Sequence, residues 1–127
     1  MIINTSELSG RSIQTTAKVP LKILLVDDIP ANLLTLEGIL EDESRILIKA
    51  FSGNEALKLL MEEPIDLILL DIQMPDMDGV EVAQLLRANP KTKHIPIIFV
   101  SAIAKSERPT LEEFEIGSFD FIPKPLD

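Results

Sequence analysis

Several residue types are missing or rare in this sequence. The 127 residues include no cysteine, tryptophan or tyrosine, and the only histidine is His94. Without cysteine the chain has no disulfide and no thiolate ligand for a metal, which fits a reducing compartment. A chain of this length buries roughly two thirds of its unfolded surface, so a hydrophobic core is sufficient for folding. We therefore expect one soluble globular domain.

Positive charge is also scarce. The formal net charge is −9, which argues against a surface for nucleic acid or anionic membrane and is compatible with binding a divalent cation. No apolar run approaches the length of a membrane span. Polar residues follow Met1, Ile2 and Ile3 at once, so we expect no signal-peptide core in this segment. We expect a cytoplasmic protein that contacts neither membrane nor nucleic acid.

Short apolar segments alternate with amphipathic ones. Near-continuous apolar runs are typical of strands that are buried on both faces. Residues 22–26, 46–50, 66–70, 97–100 and 119–122 are the five predicted strands. Four helices are predicted between them: one beginning at Pro30, one after a capping-box pattern at Ser52, one over residues 79–88, and a weaker one with Pro109 in its first turn. This alternation predicts an α/β fold, with a doubly wound parallel sheet of five strands.

The two ends of the chain differ from this pattern. Residues 1–20 are rich in serine and threonine and lack periodicity, so we expect a flexible tail or linker followed by a domain over 21–127. The sequence stops at Pro125-Leu126-Asp127, directly after the fifth strand. We therefore expect a domain that lacks a fifth helix and comes from a longer protein. A second copy of the chain, in a homodimer, is the next candidate to cover the sheet face that the missing helix would leave exposed.

Polar side chains follow four of the predicted strands. Asp27 and Asp28 follow the first, Asp71 the third, Ser101 the fourth and Lys124 the fifth. Each one alone is more often a helix cap, a turn residue or a solvated charge. Because doubly wound sheets bind ligands at the carboxyl ends of their strands, all five on one rim favour a functional site.

The chemistry of these residues suggests phosphoryl transfer. Three close carboxylates repel each other unless a cation neutralises them, and Mg²⁺ is the hard ion that prefers oxygen ligands. Asp71 stands alone at its strand end, and a carboxylate can attack phosphorus to form an acyl phosphate. Lys124 would balance the anion and the Ser101 hydroxyl would donate to a phosphoryl oxygen. His94 lies far along the sequence from these acids, and we expect it to be structural or exposed.

The sequence resembles the receiver domain of two-component response regulators. The resemblance is carried by residues 23–28 (ILLVDD), 69–79 (LLDIQMPDMDG), 100–102 (VSA) and 117–125 (GSFDFIPKP). It implies the flavodoxin-like strand order 2-1-3-4-5. It also implies phosphorelay signalling, with a histidine kinase or histidine phosphotransfer protein as partner.

The resemblance assigns roles to individual residues. Asp71 is the phosphoacceptor, and Asp28, Asp71 and the Gln73 backbone carbonyl hold Mg²⁺, while Asp27 acts mostly through water. Ser101 moves toward the phosphoryl group, Phe121 turns inward with it, and Lys124 pairs with the phosphate. The Lys124–Pro125 bond is expected to be cis. The domain is then no enzyme beyond its own phosphorylation and dephosphorylation, although a longer parent protein can carry an enzymatic domain.

Three positions depart from the family pattern, and three alternatives remain open. Phe121 is often tyrosine in the family, and Gln73 and Ile103 flank the phosphoryl site, which affects the lifetime of the phosphate.

A phosphatase of the haloacid-dehalogenase type is expected to show Asp-x-Asp, but Gln73 occupies the second acidic position. A flavin-binding module would need a phosphate loop where the sequence has Asp27-Asp28. An interaction module that is never phosphorylated is the third alternative. Residues 114–117 resemble receivers attached to histidine kinases or cyclic-dinucleotide enzymes.

Overall fold

One parallel sheet of five strands organises the computed structural model, which describes residues 19–102 and 120–124. The strand order is β2-β1-β3-β4-β5, as the resemblance implied. The strands are β1 Leu21–Val26, β2 Arg45–Ala50, β3 Leu67–Leu70, β4 Ile97–Ser101 and β5 Asp120–Pro123. Each bound of the predicted strands agrees with the structure to within one residue.

The described residues also include three helices: α1 Pro30–Leu40, α2 Gly53–Glu62 and α3 Gly79–Ala88. Pro30 occupies the start of α1, where the missing amide hydrogen needs no partner. The Ser52 side chain accepts the Glu55 amide at the start of α2, and Asp78 and Glu81 form a reciprocal capping box at α3. These local signals explain why the predicted helix starts agree with the structure. None of the three helices has the length and apolar character needed to cross a membrane.

Alternating side chains of β1 face two separate apolar layers. Ile23 and Leu25 pack with Leu33 and Leu36 of α1 on one face of the sheet. Leu24 and Val26 belong to the larger cluster on the other face, which includes buried residues of α2 and α3. The strand is therefore apolar at successive positions because both of its faces are covered.

The sheet register brings the carboxyl ends of the strands to one rim. Val26 of β1 lies opposite Leu70 of β3, Leu70 lies opposite Phe99 of β4, and Phe99 lies opposite Phe121 of β5. All of these pairings are parallel, so the residues that follow each strand emerge on the same side. The polar residues at the predicted strand ends are thereby collected at this rim.

Several expectations concern other parts of the chain. The tail, apart from residues 19 and 20, and the fourth helix with Pro109 lie outside the described residues. The same holds for Ile103, Pro125 and the expected end of the domain after strand five. The third strand begins one residue later than predicted, at Leu67. Just before it, the Asp66 backbone amide donates to the Lys22 carbonyl oxygen at 2.9 Å and the Asp66 side chain accepts the Lys22 amide at 2.8 Å.

Gly79 is required where the chain turns from β3 into α3, and we predict a large cost for replacing it. A Cβ atom there would lie 2.8 Å from the Cα of Ile72 and closer still to the Asp71 carbonyl oxygen. Gly79→Ala should therefore lower the free energy of unfolding by about 2–3 kcal/mol. At Gly38 in α1 an added Cβ meets nothing within 4 Å, so Gly38→Ala should raise stability by about 1 kcal/mol. Denaturant unfolding of both variants tests this, and equal effects would contradict it.

Candidate functional site

Three carboxylates meet at the rim of the sheet. Asp27 and Asp28 follow β1 and Asp71 follows β3, and backbone hydrogen bonds from Asp27 to Ala50 and from Asp71 to Val26 fix these positions at 3.2 and 3.0 Å. One ligand oxygen from each side chain lies within 4.8 Å of the other two. The structure therefore brings together the acidic residues that the sequence predicted to form one cluster.

Asp27 is the most strongly held of the three. Its side chain is 1% exposed, and its Oδ1 accepts the Ile29 amide at 3.0 Å. Its Oδ2 accepts two further hydrogen bonds, from Asn32 Nδ2 at 3.0 Å and from Lys124 Nζ at 2.8 Å. With three donors on two oxygens, the carboxylate is oriented as a fixed acceptor and is not arranged as a nucleophile.

Lys124 supplies the positive charge of the site. It follows β5, and its backbone amide donates to the Ser101 carbonyl oxygen at 2.9 Å. Its ammonium nitrogen lies 2.8 Å from Asp27 Oδ2 and 3.5 Å from Asp71 Oδ2. The ammonium group therefore bridges the two buried carboxylates and is closer to Asp27.

Asp71 carries its charge at an energetic cost. The residue is 4% exposed, and its burial, together with the neighbouring charge of Asp27, raises the pKa of its carboxyl above the ordinary value. The Lys124 ammonium and the Gln73 amide, which donates to Asp71 Oδ1 at 3.3 Å, oppose this rise in the pKa. Burial and repulsion prevail, so the pKa of Asp71 stays above its ordinary value and its ionised form is less favoured than in water.

Asp28 offers an oxygen to this centre. Within the described part of the chain, its buried Oδ1 atom has no hydrogen-bond partner. Buried polar atoms of this kind are uncommon unless a ligand, ion or water satisfies them. The donors are all carboxylate oxygens, which suit Mg²⁺ better than a soft transition metal. The cluster therefore fits the expected ion, with Asp28 and Asp71 as candidate ligands.

Ser101 and Phe121 are both buried beside the site. Ser101 is 0% exposed, and no partner for its Oγ is found among the residues that the structure describes. Phe121 is 8% exposed and lies in the larger apolar cluster, opposite Phe99. The ring thus already occupies an inward position. Coupled movement of these two residues stays a prediction.

The loop after Asp71 folds tightly against the site. Asp76 adopts a left-handed backbone with φ of 67°, and the Gly79 amide donates to the Ile72 carbonyl oxygen at 2.8 Å. Gln73 is exposed, and its amide faces Asp71; metal binding by its carbonyl stays a prediction. His94 is exposed and precedes β4, at the rim opposite the acids.

Asn32 was not identified as a site residue from the sequence. It lies at the third position of α1, five residues after Asp27, and one turn of helix directs its amide toward that carboxylate. The signal was present as an amide just inside a helix that Pro30 starts beside the acidic pair. Asparagine in a first helical turn is common, however, so this signal is weak.

The chain matches the response regulator receiver domain family over residues 23–127. It belongs to this family. The domain is 44% identical over 104 residues to a probable cyclic di-GMP phosphodiesterase of Vibrio cholerae, a match that covers 82% of this chain and 23% of that protein. It is 35% identical over 111 residues to the signal transduction histidine-protein kinase BarA of Escherichia coli, covering 87% of this chain and 12% of the kinase.

Solved structures agree with this assignment. The response regulator protein TrrA of Thermotoga maritima, in complex with Mg(2+)-BeF, is 33% identical, and the match covers 84% of this chain and 89% of that chain with a TM-score of 0.72. The expected fold and the expected role as a receiver domain in two-component signalling are confirmed. The domain spans less than a quarter of the length of either curated relative.

The raised pKa of Asp71 predicts how the stability of the domain changes with pH. A carboxyl group with a raised pKa in the folded state contributes stability that is fully present below its unfolded pKa of about 4 and is lost as pH rises through the folded value. Asp71→Asn removes this loss. Without Mg²⁺, the mutant should melt at a higher temperature than wild type at neutral pH, and the difference should shrink toward about pH 4.

Thermal melts across this pH range check the prediction, with Asp66→Asn as the matched control. Asp66 is exposed at the opposite end of β3, and an asparagine there can still accept the Lys22 amide. A stability difference for Asp71→Asn that is constant with pH, or that grows as the solution becomes more acidic, would contradict the electrostatic account of the site.

Proposed function

We propose that Asp71 accepts a phosphoryl group from the phosphohistidine of a histidine kinase or histidine phosphotransfer protein. The observation that carries this proposal is the position of Asp71, buried beside Asp28 and Asp27 with the Lys124 ammonium 3.5 Å from its Oδ2. A carboxylate needs such neutralisation before it can approach an anionic phosphoryl group. The site combines a nucleophile, oxygen ligands for a cation and a fixed positive charge.

The reaction proposed for Asp71 is an in-line displacement. A carboxylate oxygen forms a bond to phosphorus, the bond from phosphorus to the histidine nitrogen breaks, and the imidazole leaves with the electron pair and takes up a proton from solvent. Mg²⁺, when bound, supplies positive charge that reduces repulsion between the carboxylates and the phosphoryl oxygens. Asp28, Asp71 and the Gln73 backbone carbonyl are the proposed ligands, and Asp27 acts through water.

Two further residues stabilise the product in this proposal. Lys124 pairs with a phosphoryl oxygen. Its ammonium nitrogen already lies 3.5 Å from Asp71 Oδ2, so only a short movement toward the phosphoryl group is needed. Ser101 Oγ donates to another phosphoryl oxygen, and its lack of a partner among the described residues is consistent with that role. Phe121, whose ring is already buried, changes its packing together with Ser101 in the proposed switch. A changed surface is thereby offered to downstream partners.

The relatives support the proposed partner and cofactor. BarA is named a signal transduction histidine-protein kinase, and TrrA was crystallised with Mg(2+)-BeF. We propose that this domain likewise receives its phosphoryl group from a histidine kinase, uses Mg²⁺ and acts in the cytoplasm. The domain itself turns over no separate substrate, and any further enzymatic activity of a longer protein would lie outside the receiver. A phosphatase of the haloacid-dehalogenase type is less favoured, because exposed Gln73 replaces the second acid.

Mass spectrometry tests the acceptor directly. Incubation with acetyl phosphate and Mg²⁺ should add one phosphoryl group to the wild-type domain and none to Asp71→Asn, since an amide is not a nucleophile for this reaction. Asp66→Asn is the control, because it alters an aspartate at the other end of the same strand. Equal labelling of Asp71→Asn and wild type would reject the assignment. No labelling of either would favour the interaction module.

Calorimetry tests the metal site, because the domain has no tryptophan or tyrosine for fluorescence. A ligand at about tenfold excess over its Kd stabilises the native state by about 1.4 kcal/mol, or roughly 5 °C for a domain of this size. Asp28→Asn should lose most of this increase, whereas Asp66→Asn should retain it. Unchanged melting of the wild type in Mg²⁺, with phosphorylation still proceeding, would show that the cluster is not the metal site.

A further inference from the structure

One oxygen of Asp27 is shared by two donors with different roles. Asn32 Nδ2 lies 3.0 Å from Asp27 Oδ2, and Lys124 Nζ lies 2.8 Å from the same atom. The other oxygen, Oδ1, is occupied by the Ile29 amide. Because Asp27 is 1% exposed, bulk solvent contributes little to this carboxylate, and its protein donors contribute much of its stabilisation.

The position of Asn32 is fixed independently of Lys124. Pro30 starts α1, and the Asn32 backbone amide donates to the Ile29 carbonyl oxygen at 3.0 Å. The side chain is half-buried on the first turn of α1, and its amide reaches Asp27 from an element that is separate from β5. Asn32 is also uncharged, and therefore it does not compete with Lys124 for an anion on Asp71.

We infer that Asn32 is a positioning residue that keeps a donor on Asp27 Oδ2 while Lys124 turns from Asp27 to a phosphoryl group on Asp71. The inference rests on the proposed function, since it requires an anion on Asp71. Without the anion, Asp27 Oδ2 has both donors. With the anion, Asn32 remains the donor that this buried oxygen retains.

This arrangement makes the contribution of Asn32 depend on the state of Asp71. Removing the amide from the free domain leaves Asp27 Oδ2 paired with Lys124. Removing it from the anion-bound domain leaves a buried carboxylate oxygen without its protein donor, unless Lys124 stays behind. Either outcome weakens the bound state, since a buried charged group without a partner is costly and Lys124 cannot fully serve two anions.

The test uses beryllium fluoride as a stable phosphoryl analogue, in saturating Mg²⁺, with binding measured by calorimetry. Asn32→Ala should bind beryllium fluoride on the order of tenfold more weakly than wild type. Its affinity for Mg²⁺ and its melting temperature without beryllium fluoride should change little, because alanine is favourable in a helix. Thr35→Ala is the matched control: Thr35 is exposed on the same helix, and its hydroxyl bonds only to the Ala31 carbonyl oxygen at 3.0 Å.

The other possible outcomes distinguish a failure of the proposed function from a failure of the inference about Asn32. If wild type binds no beryllium fluoride, the proposed function itself fails. If wild type binds it and Asn32→Ala binds equally well, the positioning role of Asn32 is wrong while the proposed function stands. If Asn32→Ala lowers the Mg²⁺ affinity by the same factor, the loss lies in the metal site and again contradicts the inference. Equal weakening by Thr35→Ala would assign the effect to helix α1 in general.

Discussion

The repulsion between buried carboxylates at one rim of the sheet is the constraint on which the rest of this site depends. Asp27 and Asp71 are 1% and 4% exposed, so water screens their charges poorly. With all groups ionised, Asp27, Asp28, Asp71 and Lys124 leave a net negative charge. A divalent cation would bring the cluster to neutrality. The packing of the acids thus makes the cluster one that could hold such a cation, whichever ligand distances apply.

The sheet is what imposes this proximity. Asp27 and Lys124 are 97 residues apart in sequence, yet parallel pairing places the ends of β1 and β5 on one rim. Leu24, Leu70 and Phe99 are fully buried in the strands behind the site. This apolar packing supplies stability that the polar rim does not. The core can thus hold charged groups in an arrangement that would separate in a flexible chain.

Much of the fold could be predicted from the sequence because its signals are local. Pro30, Ser52 and Asp78 define helix starts through backbone hydrogen bonding, and apolar runs define buried strands. The acidic cluster was also predictable, since it requires only that parallel strands end at the same rim. These features depend on the order of residues along the chain and on one topological rule.

The contacts between side chains could not be predicted in the same way. The sequence gives no measure of how Lys124 divides its ammonium between Asp27 and Asp71, because that depends on distances set by packing. The role of Asn32 was missed for a related reason. Its amide reaches Asp27 only because the first turn of α1 lies beside the end of β1, and neither periodicity nor capping specifies that placement. The inward position of Phe121 likewise depends on the pairing of β5 with β4.

The Lys124 ammonium group lies at unequal distances from Asp27 and Asp71, and this indicates which way it would move when charge is added to the site. The ammonium group lies nearer to Asp27, whose carboxylate has three donors, than to Asp71, whose carboxyl has a raised pKa. A phosphoryl group would add negative charge on the side of Asp71 and none on the side of Asp27. A ligand shifts an equilibrium between two arrangements by its difference in affinity for them. A phosphoryl group on Asp71 would therefore favour movement of Lys124 toward Asp71, and the Lys124 backbone amide, directly after β5, would connect that movement to Ser101 through its hydrogen bond to the Ser101 carbonyl oxygen at 2.9 Å.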